Sequence, residues 1–284
     1  MKVILSPNPY RDKRMSVVRE AEKVLRECGV QTVMCLPFQM GDNFRYPKEF
    51  EWRDLYEEAE GTDMLICFGG DGTILHLARY AKTYNIPILG VNTGSLGYMA
   101  ELEPGEVKLL RRIVTGDYRL EPHMMVDFRV HRGKKVIYED TALNEAVIKT
   151  SSVGQEIHFT IYADGVELFA CSGDGVIVGT PTGSTAYNVS AGGPIVEPTA
   201  ENLLVTPICA HDLRVRPCVL SKERVVEVQL EHIGKKGVYL SADGGAFRLS
   251  DHDRVELRSS QSKINLVRLT DRSFYEILHQ KLGS

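Results

Sequence analysis

The chain has 284 residues, with 34 Lys and Arg against 38 Asp and Glu, a formal net charge of −4, 43% hydrophobic and 25% charged positions. This is the composition of a globular protein of one large or two medium domains, and it excludes collagenous, disordered and disulfide-scaffold classes. No overall positive field is available to a polyphosphate backbone, so no nucleic-acid partner is expected and any phosphate ligand must be held locally.

The opening run MKVILSPNPYRDK stops being apolar at Leu5 and lacks a signal-peptide pattern. No stretch approaches the roughly 18 uninterrupted apolar residues of a membrane helix. The six cysteines, Cys28, Cys35, Cys67, Cys171, Cys209 and Cys218, form no CxxC pair. Free thiols, a cytoplasmic location and no membrane partner are therefore expected.

Lys2–Leu5 reads as a strand; Val17, Val18, Ala21, Val24, Leu25 and Cys28 then mark one helical face that Gly29 ends. Gln31–Leu36 is a second strand, a short acidic helix lies around Arg53–Glu60, and Met64–Phe68 is a third strand suited to burial on both faces. A helix over Ile74–Tyr84 and a strand over Ile86–Val91 continue the alternation. Strand and helix in this order predict an α/β, doubly wound parallel sheet in residues 1–116. Residues 117–263 read as a mostly β, sandwich-like second domain. In Glu156–Ala163, Ile157, Phe159 and Ile161 alternate with polar neighbours before an Asp164-Gly165 turn; Val226, Val228 and Leu230 alternate likewise. Ser273–Leu282 returns to helical spacing, so residues 264–284 are expected to complete the first domain.

Gly69-Gly70-Asp71-Gly72-Thr73 stands between a buried strand and a helix. Its glycines allow close backbone approach, and the helix start offers free amides and the positive end of a dipole, a place for phosphate. Like charges repel, so Asp71 suits a base or a metal-mediated role; the plain alternative is a helix cap. Asn92-Thr93-Gly94-Ser95-Leu96-Gly97 follows the next strand as a second polar turn. Asn144-Glu145 falls in an apolar strand, Ala142–Ile148, where consecutive side chains face opposite ways; either group suits a ribose hydroxyl, and the plain alternative is a strand-end pair with its hydrogen bonds already satisfied. Finally, Asp174-Gly175 and the strand Val176–Val178 precede Gly179–Pro194, a run crowded with hydroxyls and glycine; Ser184 or Thr185 would cap a short helix there, and Tyr187 would stack on a base or fill the core.

These segments together resemble the NAD kinases, which phosphorylate NAD to NADP. Gly69–Thr73 is also similar to diacylglycerol kinase-like lipid kinases and phosphofructokinases; Asn144-Glu145 and Gly179–Pro194 separate the NAD kinases from both. The resemblance implies transfer of the γ-phosphoryl of ATP to the 2′-hydroxyl of the adenosine ribose, with Mg²⁺ or another divalent cation and no residue assigned as its ligand. It implies Asp71 as proton acceptor. Asp71, Gly72, Asn144, Glu145, Asp174, Thr185, Ala186, Tyr187, Asn188 and Ser190 are then expected around NAD. His76, in the first turn of the helix over Ile74–Tyr84, is a further candidate contact whose plain reading is an exposed polar helix residue. Gly69, Gly70, Thr73, Thr93 and Gly94 fall on the ATP side. A homodimer or homotetramer is implied as well. Two departures stand out: Ser172 and Gly173 precede Asp174 where a basic or small polar residue is common, and Asp243-Gly244 is followed by Gly245 where Gln is common. A lipid or other small-molecule kinase and a non-catalytic NAD-binding sensor are the competing readings.

Overall fold

In the computed structural model, which describes residues 1–12, 14–41, 44–94, 97–151, 154–231, 233 and 237–283, the chain divides into two units, Met1–Pro122 with Ile264–Ser284 and His123–Lys263. The first is built on short strands, the central ones apolar or buried along almost their whole length. β1 (Lys2–Pro7) leads through α1 (Ser16–Glu27) to β2 (Gln31–Cys35) and the two-residue β3 (Trp52–Arg53). α2 (Leu55–Ala59), β4 (Met64–Gly69), α3 (Asp71–Tyr84) and β5 (Ile88–Asn92) follow. The strands are parallel in the order β3–β2–β1–β4–β5. β4 and β5 are buried along their whole length, as a sheet covered on both faces requires. The chain leaves β1 toward one edge and β4 toward the other, so the loops after these two neighbours diverge and open a crevice at their carboxyl ends. A 3₁₀ turn (Pro104–Leu110) and α4 (Arg111–Val114) close this stretch.

The second unit is a sandwich. β6 (Arg119–Arg132) and β7 (Lys135–Ala142) form a hairpin, β8 (Glu145–Thr150) follows, and β9 (Ile157–Ala163) turns into β10 (Val166–Gly173) through Asp164 and Gly165, both at positive φ. Then come β11 (Gly175–Gly179), α5 (Tyr187–Ser190), β12 (Asn202–Ile208), β13 (Cys218–Ser221), β14 (Val226–Glu231), β15 (Val238–Ala242), β16 (Gly245–Leu249) and β17 (Asp253–Arg268). One layer runs β10–β9–β14–β17, with β6 and β7 beside it, and the other runs β13–β12–β11–β8–β15–β16. The alternating residues Phe159, Ile161 and Val228 of the first meet Ile148, Val176, Val205 and Leu240 of the second in one core.

Two expected boundaries move. α3 begins at Asp71, with Gly70 as its cap residue, so the phosphate-type turn already contains the first helical turn. The strand expected over Ala142–Ile148 is interrupted: β7 ends at Ala142 and β8 starts at Glu145, leaving Leu143 and Asn144 in a bend.

Beyond Ile264 the chain belongs to the first unit again. Leu266 pairs in parallel with Ile88, Val267 and Leu269 enter the first core, and α6 (Phe274–Leu282) starts on a Ser273–Glu276 capping box. Glu101, 4% exposed, anchors this return: its Oε1 accepts from the backbone N–H of Leu269 (2.9 Å) and Thr270 (2.6 Å) and from the Thr270 hydroxyl (2.7 Å). Arg268 reaches Glu121 at 2.7 Å and Glu101 at 3.5 Å, and Arg272 reaches Glu106 at 3.0 Å. Glu101→Ala leaves these donors without an acceptor and Arg268 short of a counter-charge. It is expected to cost about 3 kcal/mol of unfolding free energy in urea titrations; a loss below about 1 kcal/mol would contradict the anchoring role.

Candidate functional site

Within the first unit, the crevice at the carboxyl ends of the strands holds a cavity of about 360 Å³, lined by Gly70, Asp71, Gly72, Thr73, His76, Gly94 and Gly97, and also by Asn8, Arg11, Phe38 and Lys281. Asp71 is the first residue of α3, and its side chain folds away from a capping position: Oδ2 accepts from Tyr98 N–H at 2.8 Å and Oδ1 from Met99 N–H at 3.1 Å. Each oxygen keeps a lone pair for a proton. Gly97 makes this grip possible, because a Cβ there would lie 2.2 Å from Asp71 Oδ1. Thr73 is buried, its hydroxyl accepts from Asn8 Nδ2 at 3.0 Å, and a Cβ on Gly69 would collide with it at 2.3 Å. The glycines of this turn thus serve two needs: Gly69 lets α3 pack onto β4, and Gly70 and Gly72 face the cavity.

The second unit gathers a different set. The bend before β8 is clamped from three sides. Leu143 N–H donates to Asp243 Oδ2 at 2.5 Å, Thr180 N–H donates to Asn144 O at 2.9 Å, and the Thr180 hydroxyl donates to Leu143 O at 2.6 Å. The 3₁₀ turn Thr182–Thr185 lies against the bend, since a Cβ on Gly183 would sit 2.3 Å from Asn144 O and 2.7 Å from Glu145 Oε2. This clamping fixes Asn144 and Glu145 with their polar ends unused: Asn144 Oδ1 and Glu145 Oε2 are buried and, among the described residues, have no hydrogen-bond partner. Burial first, and then the charge of Asp243, push the Glu145 carboxyl from an ordinary 4.5 up to about 8. Two buried acceptors without donors cost the folded chain free energy that a ligand's hydroxyl or amide protons would return.

Not every expected residue sits where a ligand would meet its side chain. Gly69 and Thr93 do not line the cavity; the Thr93 N–H donates to Gly69 O at 3.2 Å instead. Asn188 is fully buried and occupied, its Nδ2 donating to Ser184 O (3.0 Å) and Pro194 O (2.9 Å) and its Oδ1 accepting from Thr206 (2.6 Å). It holds the loop closed rather than offering groups to a ligand. Ser184 does not cap a helix; its hydroxyl exchanges hydrogen bonds with the backbone of Val196. Tyr187 packs on Val147, Ile177 and Ile208, the core-filling alternative, with Lys149 5.6 Å from its ring centre. Asp174 and Ser190 are exposed, and Thr185 and Ala186 are half-buried. Ser95 and Leu96 of the second polar turn lie outside the described residues. Motif reading missed Asn8, Arg11 and Lys281, and it gave no individual role to Gly97, Gly183 and Asp243, which lie within segments it singled out. For Asn8 and Arg11 a signal existed, since they follow the first parallel strand as Gly70 follows β4; for Lys281, in the last helix, none did.

Residues 3–118 match the family described as the ATP-NAD kinase N-terminal domain, and residues 143–269 match the ATP-NAD kinase C-terminal domain. The chain is 40% identical over 280 residues to the NAD kinase of Natranaerobius thermophilus, covering 98% of this chain and 96% of that protein. To the NAD kinase of Ruminiclostridium cellulolyticum it is 34% identical over 289 residues, covering 99% and 97%. Among solved structures, an NAD kinase from Archaeoglobus fulgidus in complex with ATP superposes with a TM-score of 0.74 at 27% identity, over 100% of this chain and 99% of that one. A yeast NADH kinase complexed with NADH shares the fold, with a TM-score of 0.82 at 24% identity over 100% and 87%.

Two substitutions probe the geometry. Gly97→Ala should expel the Asp71 carboxylate from its amide grip; the melting temperature should stay close to the parent's while any activity that uses Asp71 falls by about tenfold or more. Full activity in that variant would show that the grip is dispensable. For Glu145, a carboxyl whose folded pKa is raised binds more protons folded than unfolded, so its contribution to stability declines as pH rises from 4.5 to about 8. Glu145→Gln removes this titration and should be more stable than the parent by roughly 1–3 kcal/mol at pH 8 but not at pH 4. Parallel stability–pH curves for the two proteins would refute the buried, raised carboxyl.

Proposed function

The chain belongs to the ATP-NAD kinase family, and we propose that its transfer of the γ-phosphoryl group of ATP to the 2′-hydroxyl of the adenosine ribose of NAD uses Asp71 as the general base. The observation that carries this role is the double amide grip on Asp71 at the mouth of a glycine-lined cavity. A hydroxyl nucleophile needs a carboxylate fixed within hydrogen-bond reach, and a carboxylate held by backbone rather than by side chains does not swing away when a phosphate arrives. On the donor side, Gly70, Gly72 and Thr73 present the first amides of α3 to the phosphates of ATP, with Gly94 opposite and Gly69 and Thr93 behind, shaping the turn. Among the described residues no group of three or more His, Cys, Asp or Glu is arranged to hold a metal. A divalent cation, Mg²⁺ or another, would neutralise charge on the transferred phosphoryl group, and on this reading it would be carried in with ATP.

On the acceptor side, Asn144 Oδ1 and Glu145 Oε2 take hydrogen bonds from NAD hydroxyl or amide protons. Asp174, Thr185, Ala186 and Ser190 add exposed or half-buried polar groups and backbone, Gly72 and His76 are further expected contacts, and Tyr187 and Asn188 hold the shape of the loop. A donor bound to the Glu145 carboxylate favours its ionised form, so NAD binding releases a proton and tightens as pH approaches 8. The six cysteines are free, which supports a cytoplasmic setting, and among the described residues no helix is long and apolar enough to cross a membrane. A homodimer or homotetramer is part of the same reading. Neither the lipid-kinase nor the sensor alternative is favoured, since the match extends over both units rather than over Gly69–Thr73 alone.

Purified protein supplied with MgATP and NAD should make NADP. Asp71→Asn should lower kcat by about 10²-fold or more, with the KM for NAD changing much less. A near-normal kcat in that variant would remove Asp71 from its role.

A further inference from the structure

The Gly69–Thr73 turn brings amides to a phosphate chain but no positive charge, and the second turn brings none either. The cations of this cavity come from the two ends of the sequence. Arg11 lies in the loop after β1 and Lys281 in the last turn of α6, and both line the cavity with Gly70, Asp71, Gly72 and Thr73. We propose that Arg11 and Lys281 are the two side chains that hold the triphosphate of ATP in this cavity. The proposal rests on the ATP reading of the site given above and adds residues and a mode of recognition to it.

Both side chains are placed, and neither is spent on a carboxylate. Arg19, Arg26 and Arg111 of the same unit each pair with a glutamate, whereas among the described residues Arg11 and Lys281 have no acidic partner within ion-pair distance. The backbone on either side of Arg11 is pinned. Arg11 and Asp12 N–H both donate to Asn8 O at 3.0 Å, and the Asp12 carboxylate accepts from Ser16 and Val17 N–H at 3.0 Å at the start of α1. The guanidinium rests beside Gly94, where an added Cβ would meet Arg11 Cδ and Nη1 at 3.6 Å. Lys281 Nζ stands 4.0 Å from the ring centre of Tyr98, the residue whose N–H grips Asp71 Oδ2.

A phosphate chain entering beside the Asp71 carboxylate meets repulsion that dipoles alone offset poorly. One cation from each end of the chain supplies the opposing charge while leaving the base unpaired. A guanidinium offers a planar fork to two phosphate oxygens, and an ammonium acts as a point charge. Such recognition reads the phosphates and not the base, so inorganic tripolyphosphate should compete with ATP.

The test uses the full chain with Arg11→Met, Lys281→Met and the double substitution, which keep apolar stems, and with Arg11→Lys as a rescue. Calorimetric binding of a magnesium complex of non-hydrolysable ATP and of magnesium tripolyphosphate is measured beside KM for ATP and for NAD, with thermal melts to confirm folding. Each single change should weaken both phosphate ligands and raise KM for ATP by about tenfold, the double change by about a hundredfold, with KM for NAD altered by less than about twofold and Arg11→Lys recovering part of the loss. Phosphate affinities and KM for ATP within about twofold of the parent in the folded double variant would overturn the proposal. If the parent binds phosphate in this Arg11- and Lys281-dependent way yet makes no NADP, the catalytic reading fails and this one stands.

Discussion

A carboxylate that is to take a proton next to a triphosphate must resist being pushed aside by it. Asp71 is held by the amides of Tyr98 and Met99, and much of the first unit can be traced to that requirement. The amides belong to the segment after β5, so β4 and β5 must be neighbours; they pair in parallel from Leu65 with Ile88 to Gly69 with Asn92. The segment approaches close enough only because Gly97 has no side chain, and it is steadied from behind by Glu101, which also ties down the return of the chain toward α6. The positive end of α3 sits under the same carboxylate, so in the proposed mechanism one helix terminus serves both the base and the phosphates.

The second unit solves a complementary problem by leaving acceptors without partners. The backbone of the Leu143–Asn144 bend is held by Asp243 and Thr180, so its fixing does not draw on the side-chain oxygens Asn144 Oδ1 and Glu145 Oε2. Their buried, unpaired oxygens are a standing cost, and a raised carboxyl pKa is its electrostatic expression. Under the proposed NAD contacts this is stability given up for recognition, the usual exchange at a binding site.

Strands buried on both faces, such as Met64–Phe68, were legible because no amphipathic helix fits so short an unbroken apolar run, and the Asp164-Gly165 hairpin because its dipeptide prefers positive φ. The start of α3 was not, because glycines read as loop although a first helical turn needs no intrahelical amide bonds and tolerates them. The bend at Asn144 was hidden by apolar neighbours on both sides, and only the Asp243 and Thr180 contacts, 100 and 37 residues away, create it. Within the loop Gly179–Pro194, composition could not separate hydroxyls and amides that face a ligand from those, like Ser184 and Asn188, consumed in holding the loop. Arg11 and Lys281 lie outside every dense motif, and their convergence depends on the parallel strand order and on the carboxyl-terminal return.

The central claim is that backbone amides hold Asp71 where it meets the nucleophile, and a crystal structure of the chain with NAD and a non-hydrolysable MgATP analogue tests it most directly. The account predicts an Asp71 carboxylate oxygen within about 3 Å of the 2′-hydroxyl of the adenosine ribose, with the Tyr98 and Met99 amides still bonded to it. A carboxylate more than about 5 Å from that hydroxyl, or one turned onto another partner in the bound state, would contradict it.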